Sequence, residues 1–133
     1  MIIVDSSVWI AYLRDEQSTV AQRLIAVAAR ERCLVGDLVL AEILLGARDE
    51  RHAAQIEGQL RRFTVVSTVD PDLAGQAARH YRRMRAAGVT IRRTIDLLIG
   101  SFCIARGWPL LHQDRDFDAM ERHCGLQVLR AAN

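Results

Sequence analysis

Short apolar stretches alternate with helical segments along the whole chain, and this alternation constrains the fold more than any other feature. The strand-like stretches have the length and apolar character of buried strands and are residues 2–4, 33–36, 63–66, 109–112 and 126–129. The helical segments between them are residues 7–13, 19–31, 38–47, 49–62, 71–87, 94–105 and 117–122. Such alternation predicts an α/β sandwich in which helices flank a short-stranded, mostly parallel central sheet.

The size and composition of the chain are typical of one globular domain. The chain has 133 residues, 50% of them hydrophobic, so we expect residues 1–133 to form a single domain. No apolar run approaches the roughly 20 residues that span a membrane, and the N-terminus lacks the basic start of a secretory signal. The cysteines, Cys33, Cys103 and Cys124, form no CxxC pair. They therefore indicate reduced thiols in a cytoplasmic protein, with no zinc site.

The positive charge of the chain comes from arginine alone. All 18 basic residues are Arg, which excludes enzymes that need a catalytic lysine, such as P-loop NTPases, Schiff-base enzymes and aspartyl-phosphate phosphatases. No acid occurs between Leu73 and Ile95, whereas the rest of the chain carries 12 arginines against 16 acids. The arginines of this basic segment are Arg79, Arg82, Arg83, Arg85, Arg92 and Arg93.

Three acidic residues stand alone in segments that are otherwise apolar. Asp5, Glu42 and Asp96 are each the only charged residue in a stretch of ten or more. A buried, unpaired carboxylate costs several kcal/mol or takes up a proton, so three of them call for a common explanation. Each also has a structural alternative: Asp5 could cap the next helix, Glu42 could pair with a core arginine, and Asp96 could favour a helix N-terminus.

The order of these acids along the predicted sheet suggests that they meet. Asp5 follows the first predicted strand, while Asp114 and Asp116 follow the fourth, and the carboxyl ends of parallel strands share one edge. Asp96 lies in the first turn of its helix, and Glu42 lies in the early to middle part of its own. Converging carboxylates without nearby His or Cys match Mg²⁺ or Mn²⁺, and two such ions about 3.5–4 Å apart can assist a phosphodiester displacement. The alternative for the acids after the fourth strand is a solvated turn.

Four motifs resemble those of PIN-domain nucleases, and most closely those of the VapC-type toxins of bacterial toxin–antitoxin pairs. The motifs are DSSVWI at 5–10, VLAEILLG at 39–46, TIDLLI at 94–99 and HQDRDF at 112–117. They occur in the family's order over the whole chain, and the resemblance implies a PIN-like three-layer sandwich. The sequence departs from the family in Ile95, where a polar residue such as Asn is common, and in Ser6, where Thr is commoner.

The resemblance implies an Mg²⁺-dependent endoribonuclease, with Mn²⁺ as a substitute ion. By this likeness Asp5 is the central metal ligand, and Glu42 and Asp96 complete the first metal site. Asp114 holds a second metal, with Asp116 as a weaker or water-mediated ligand. Water activated by the metal would then attack an RNA phosphodiester and leave a 5′-phosphate and a 3′-hydroxyl, with no protein base required.

The resemblance also implies partners and supporting residues. Ser7 would hydrogen-bond a carboxylate or a metal-bound water, and Ser6 would keep a hydroxyl beside it. A cognate VapB-type antitoxin would cover the cleft, and the chain would form a homodimer. We expect the basic segment to bind the RNA backbone, because guanidinium groups bind phosphates well, although a solvated helix face is the alternative.

Other functions remain open at this point. The main alternative is a catalytically silent PIN-like module that binds RNA or protein, which the presence of all four acids disfavours. A DNA or flap nuclease of the same wider fold usually needs larger insertions than 133 residues allow. An Mg²⁺ phosphohydrolase of small nucleotides would lack its usual lysine.

Overall fold

The architecture follows the alternation seen in the sequence. In this computed structural model the described residues are 1–131, so the last two residues of the predicted domain lie outside them. The strands are β1 (Ile2–Val4), β2 (Cys33–Gly36), β3 (Thr64–Val66), β4 (Leu110–His112) and β5 (Val128–Arg130). The helices are α1 (Ser6–Arg14), α2 (Thr19–Ala28), α3 (Asp37–Leu45), α4 (Glu50–Leu60), α5 (Pro71–Ala86), α6 (Thr94–Arg106) and α7 (Asp118–Cys124). A single 3₁₀ turn, Arg115–Phe117, precedes α7.

The five strands form one sheet in the order β3-β2-β1-β4-β5. Each neighbouring pair is parallel, so the prediction of an α/β fold is confirmed and the sheet of the described chain is wholly parallel. The chain runs outward from β1 through β2 to β3 and then crosses back to β4 on the other side of β1. This reversal places a topological switch point between the carboxyl ends of β1 and β4, where open α/β sheets bind ligands.

The sheet lies at the centre of the core because its strands are apolar on both faces. Every residue of β1, β2 and β4 is buried, which requires helices on both sides of the sheet. Trp9 of α1 packs against Phe63 with ring centroids 4.7 Å apart, just before β3. Burial of this kind stabilises a fold by about 25 cal/mol per Å² of apolar surface.

Several element boundaries differ from the sequence-based prediction, and hydrogen bonds explain two of the differences. Helix α2 ends at Ala28 instead of residue 31, because the carbonyl of Arg32 accepts a hydrogen bond from Ile2 and already belongs to the sheet edge. The last strand begins at Val128 instead of residue 126, because Leu126 donates to the carbonyl of Met120 and closes α7.

No helix in the described part of the chain is long and apolar enough to cross a membrane.

Candidate active site

Asp5 stands at the carboxyl end of β1 and begins α1. Its Oδ2 accepts hydrogen bonds from the backbone amide of Ser7 at 3.1 Å and from the Ser7 hydroxyl at 2.6 Å. Its own amide donates to Leu111 of β4 at 2.9 Å, which fixes the backbone beside the switch point. The capping role considered as an alternative is therefore present. The contact expected of Ser7 with a carboxylate is present too, and Ser6 is buried next to it.

The turn after β4 is held by its own side chains. The ring Nδ1 of His112 accepts from the amide of Asp114 at 3.1 Å, and Oδ1 of Asp114 accepts from the amide of Asp116 at 2.9 Å. His112 is buried, with its ring centroid 5.0 Å from that of Phe117, and burial lowers the pKa of its imidazole. The Gln113 side chain donates to the carbonyl of Ser7 at 3.1 Å, which joins this turn to the start of α1.

Three carboxylates converge at this edge of the sheet. Asp96, Asp114 and Asp116 each offer an oxygen atom, and these atoms all lie within 4.8 Å of one another. Asp96 lies in the first turn of α6 and is only 2% exposed, whereas Asp114 and Asp116 are half-buried. The structure therefore groups Asp116 closely with Asp96 and Asp114. We call these three residues the acidic cluster.

The charge of Asp5 acts on the acidic cluster from the neighbouring strand end. Burial above all, and then the negative charge of Asp5, raise the pKa of Asp96 to about 7, although the Arg93 guanidinium lowers it in part. Burial likewise raises the pKa of Asp5, while hydrogen bonds from Ser7 lower it and the charge of Asp114 raises it. Mutual repulsion of this kind indicates a site whose negative charge exceeds the positive charge that Arg93 supplies.

Glu42 faces the same cleft from α3 but is engaged by an arginine. Oε2 of Glu42 accepts from Nη2 of Arg93, and Nε of Arg93 lies 3.9 Å from Oδ2 of Asp96. The alternative in which Glu42 pairs with an arginine is thus realised. The partner comes from the basic segment, and not from the core.

The donor set fits a divalent metal ion. Oε1 of Glu42 and Oδ2 of Asp96 are buried and have no hydrogen-bond partner within residues 1–131. A buried carboxylate oxygen that receives no hydrogen bond lowers the stability of the folded protein unless a cation pairs with it. A set made only of carboxylates matches a hard cation that prefers oxygen ligands. The cluster is therefore consistent with divalent metal binding.

The arginines of the basic segment fall into two groups: five are exposed, and Arg93 contacts the acids of the site. Arg79, Arg82, Arg83 and Arg85 are exposed on α5, and Arg92 is exposed in the connection to α6. The Arg85 guanidinium lies 5.9 Å from the centre of the Tyr81 ring. Only Arg93 reaches the acids among the arginines of this segment, within the described chain.

Two supporting contacts were not foreseen from the sequence. One is the bond from Gln113 to Ser7 described above. The other is Asp37, at the carboxyl end of β2, whose Oδ1 accepts from the amide of Thr68 at 3.2 Å and from its hydroxyl at 2.6 Å. The position of Asp37 directly after a strand was a usable signal, but this carboxylate joins β2 to the loop after β3 and lies outside the acidic cluster.

A groove of about 880 Å³ opens beside Glu42, between α1, α3 and α4. Apolar side chains contribute to it from all three helices, and three arginines line it as well. The apolar side chains are Ile10, Leu13, Ile43 and Ile56, and the arginines are Arg14, Arg48 and Arg62. None of these three arginines forms an ion pair with another residue of the described chain.

Comparison with known proteins places this geometry in a family. Residues 2–123 match the PIN domain family. Over 130 residues the chain is 32% identical to the VapC ribonuclease Mb1587 of Mycobacterium bovis and to ribonuclease VapC11 of Mycobacterium tuberculosis, with 96% of this chain and 97% of each relative covered.

Solved structures agree in fold. The VapBC2 structure from Rickettsia felis, bound to a DNA fragment from its promoter, gives a TM-score of 0.80 at 18% identity and covers 98% of both chains. The VapBC-5 structure from Mycobacterium tuberculosis gives a TM-score of 0.70 at 25% identity and covers 96% of both. From its sequence motifs, its parallel sheet and these likenesses, we conclude that the chain belongs to the PIN domain family, and within it to the VapC group.

Proposed function

We propose that this chain is an Mg²⁺-dependent endoribonuclease and the toxin of a toxin–antitoxin pair, with Mn²⁺ as a substitute ion. The acidic cluster beside Asp5, at the switch point of the sheet, is the observation that carries the proposal. The relatives named as VapC ribonucleases support the reaction type. The family match over residues 2–123 supports a single domain for the whole chain.

The proposed ligands and catalytic residues are the acids that face the cleft. Asp5, Glu42, Asp96 and Asp114 serve as catalytic residues and metal ligands, and Asp116 serves as a further ligand. When bound, the metal supplies a Lewis acid that lowers the pKa of water and neutralises charge on the phosphodiester.

The remaining residues of the site keep the ligands in place. Ser7 holds the Asp5 carboxylate by two hydrogen bonds, and His112 and Gln113 fix the turn that carries Asp114. Ser6 is proposed to support Asp5 from its buried position through its backbone amide, which lowers the pKa of the Asp5 carboxyl. Rigid placement of this kind aligns a phosphodiester for in-line attack.

The exposed arginines of the basic segment are proposed to bind the RNA backbone. Helix α5 carries four of them and leads through residues 87–93 into α6, whose first turn holds Asp96. The exposed arginines therefore lie on the element that connects to the site. None of them pairs with an acid in the described part of the chain, so their guanidinium groups are available for phosphates.

The proposed protein partners are a VapB-type antitoxin and a second copy of the chain. Solved relatives are VapBC structures, which supports an antitoxin partner. The groove beside Glu42 combines apolar side chains with unpaired arginines, so it suits an acidic amphipathic segment of the antitoxin.

Co-expression with a VapB-type antitoxin tests this surface. Arg62→Glu is expected to weaken the complex, whereas Arg61→Glu serves as a control, because Arg61 pairs with Glu57 at 2.8 Å and does not line the groove. Equal binding by both variants would place the antitoxin elsewhere. Light scattering of the purified chain tests the homodimer, and a monomeric mass at micromolar concentration would contradict it.

Cleavage of RNA by the purified protein tests the proposed reaction. We expect Mg²⁺-dependent cleavage with 5′-phosphate products, no cleavage in EDTA, and at least about a 100-fold loss in Asp114→Asn, because a ligand is removed. Asp118→Asn is the matched control, since Asp118 begins α7 and pairs with Arg130 at 3.2 Å outside the cluster. RNA binding without cleavage at any Mg²⁺ or Mn²⁺ concentration would favour the silent module instead.

A further inference from the structure

Arg93 occupies an unusual position for a cation. It is the residue directly before α6, at the helix N-terminus, and its side chain makes no capping hydrogen bond. Positive charge at a helix N-terminus is unfavourable, because the helix dipole already places partial positive charge there. The Arg93 guanidinium therefore does not stabilise α6, and its position needs another explanation.

The explanation lies in the two acids that the guanidinium contacts. One end of the group pairs with Glu42 of α3, and its Nε lies 3.9 Å from Oδ2 of Asp96. The Glu42 side chain is 17% exposed and that of Asp96 is 3% exposed, so both carboxylates lie in a desolvated cleft. Arg93 is the one cation that pairs with either acid within residues 1–131. It supplies positive charge where the carboxylates would otherwise repel one another.

The same contacts conflict with metal binding. Glu42 and Asp96 are two of the acids proposed to hold the metal. Arg93 occupies Oε2 of Glu42 and leaves only Oε1 of that carboxylate open to a cation, while its charge also lies close to Oδ2 of Asp96. A divalent ion in the cleft also repels a guanidinium nearby. The Arg93 side chain is 49% exposed, so it can turn toward solvent without disturbing the core.

We propose that Arg93 is a built-in counter-cation that neutralises Glu42 and Asp96 in the metal-free protein and competes with the divalent metal for them. Metal binding and the Arg93 ion pairs are then mutually antagonistic, and each weakens the other by the same factor. Arg93 thereby sets the metal concentration at which the site fills. This inference rests on the proposed function, because it assumes that these acids are metal ligands.

Mn²⁺ binding in the absence of RNA tests the inference. The free ion is counted by its electron paramagnetic resonance signal at pH 8.0, with the full chain as wild type, Arg93→Gln, Arg93→Lys and Arg92→Gln. Arg92→Gln is the matched control, since it removes the same charge from the adjacent exposed residue, which pairs with no acid in the described chain. We expect Arg93→Gln to bind Mn²⁺ about tenfold more tightly than wild type and Arg92→Gln to change affinity by less than about twofold.

A second readout separates competition from a merely structural role. In EDTA, Arg93→Gln is expected to melt at a lower temperature than Arg92→Gln, because its acids lose their counter-cation, and saturating Mn²⁺ is expected to close the gap. Arg93→Lys keeps the charge but not the planar fork that reaches both acids, so its Mn²⁺ affinity should fall between wild type and Arg93→Gln. If Arg93→Gln fails to melt cooperatively, the Arg93→Lys affinity decides the question.

The outcomes distinguish this inference from the proposed function. If wild type binds Mn²⁺ and Arg93→Gln binds it no more tightly, the inference is overturned while the metal site stands. Tighter binding that Arg92→Gln reproduces would reflect net charge alone and would also overturn it. If no variant binds Mn²⁺ at millimolar concentration, the proposed metal-dependent function itself fails.

Discussion

Replacement of Asp96 by Asn is expected to stabilise the metal-free protein, and to do so more strongly as the pH rises. Asp96 is 2% exposed, and burial raises the pKa of its carboxyl from an ordinary value of 3.8 to about 7. Between about pH 4 and pH 7 the folded state therefore keeps a proton on Asp96 that the unfolded state has already released. Folding stability contributed by this group is present at low pH and is lost as the pH rises through that window.

The size of the effect follows from the shift in pKa. One pKa unit corresponds to about 1.4 kcal/mol, so a change from 3.8 to about 7 corresponds to roughly 4 kcal/mol at pH values above the folded pKa. Part of this penalty is already present at pH 5, because the unfolded carboxyl is mostly ionised there. Between pH 5 and pH 8.5 the free energy of unfolding of Asp96→Asn, minus that of wild type, should therefore grow by roughly 2–3 kcal/mol.

Urea denaturation in EDTA at several pH values measures this difference directly. Glu16→Gln is the control, since Glu16 is exposed, and its difference from wild type should stay flat across the same range. A difference for Asp96→Asn that does not grow with pH would refute the inference that a desolvated carboxylate is being ionised in the folded protein. A decrease with pH would show that Arg93 outweighs burial at this site.

Divalent metal should offset the destabilisation caused by the ionised Asp96 carboxylate, since an ion at 100 times its Kd adds roughly 2.7 kcal/mol to the free energy of unfolding. Thermal melting with Mg²⁺ or Mn²⁺ should show this gain in wild type and no such gain in Asp96→Asn. Replacement of Arg82, Arg83 and Arg85 on α5 by Gln should weaken the salt dependence of RNA binding. The slope of log binding constant against log salt concentration should become shallower by about 0.7 for each lost phosphate contact. An unchanged slope would indicate that this helix face is only solvated. Gly100→Ala should cost about 1–3 kcal/mol in chemical denaturation, because its Cβ would lie 2.5 Å from Sδ of Met120. Gly58→Ala in α4 meets nothing within 4 Å and should be neutral or stabilising, and equal costs for the two variants would contradict the close helix packing.

The parts of the site that the sequence could predict depend on local pattern. Asp5, Asp114 and Asp116 follow strands, and the rule that parallel strands end at one edge is enough to bring them together. Asp96 was recognisable because it stands alone in an apolar helix. For Asp5, Asp114 and Asp116 the expectation that the acids approach one another therefore needed no knowledge of how the helices pack.

The contacts that the sequence could not predict join residues that are distant along the chain. Arg93 and Glu42 are 51 residues apart, and their pairing depends on how the start of α6 packs beside α3. The bond from Gln113 to Ser7 joins residues 106 apart and follows from the adjacency of β1 and β4. In the sequence Arg93 is one of six similar arginines, so its separate place emerges only from the folded geometry.

Anomalous diffraction from crystals soaked in Mn²⁺ is the most direct test of the metal site. The acidic cluster is expected to show a peak about 2.0–2.2 Å from carboxylate oxygens of Asp96 and Asp114, with Asp5 or Asp116 completing the ligand set. The same peak should disappear in crystals of Asp114→Asn. Protein that cleaves RNA in Mn²⁺ but shows no peak at this cluster, or shows one only elsewhere, would contradict the assignment of the active site.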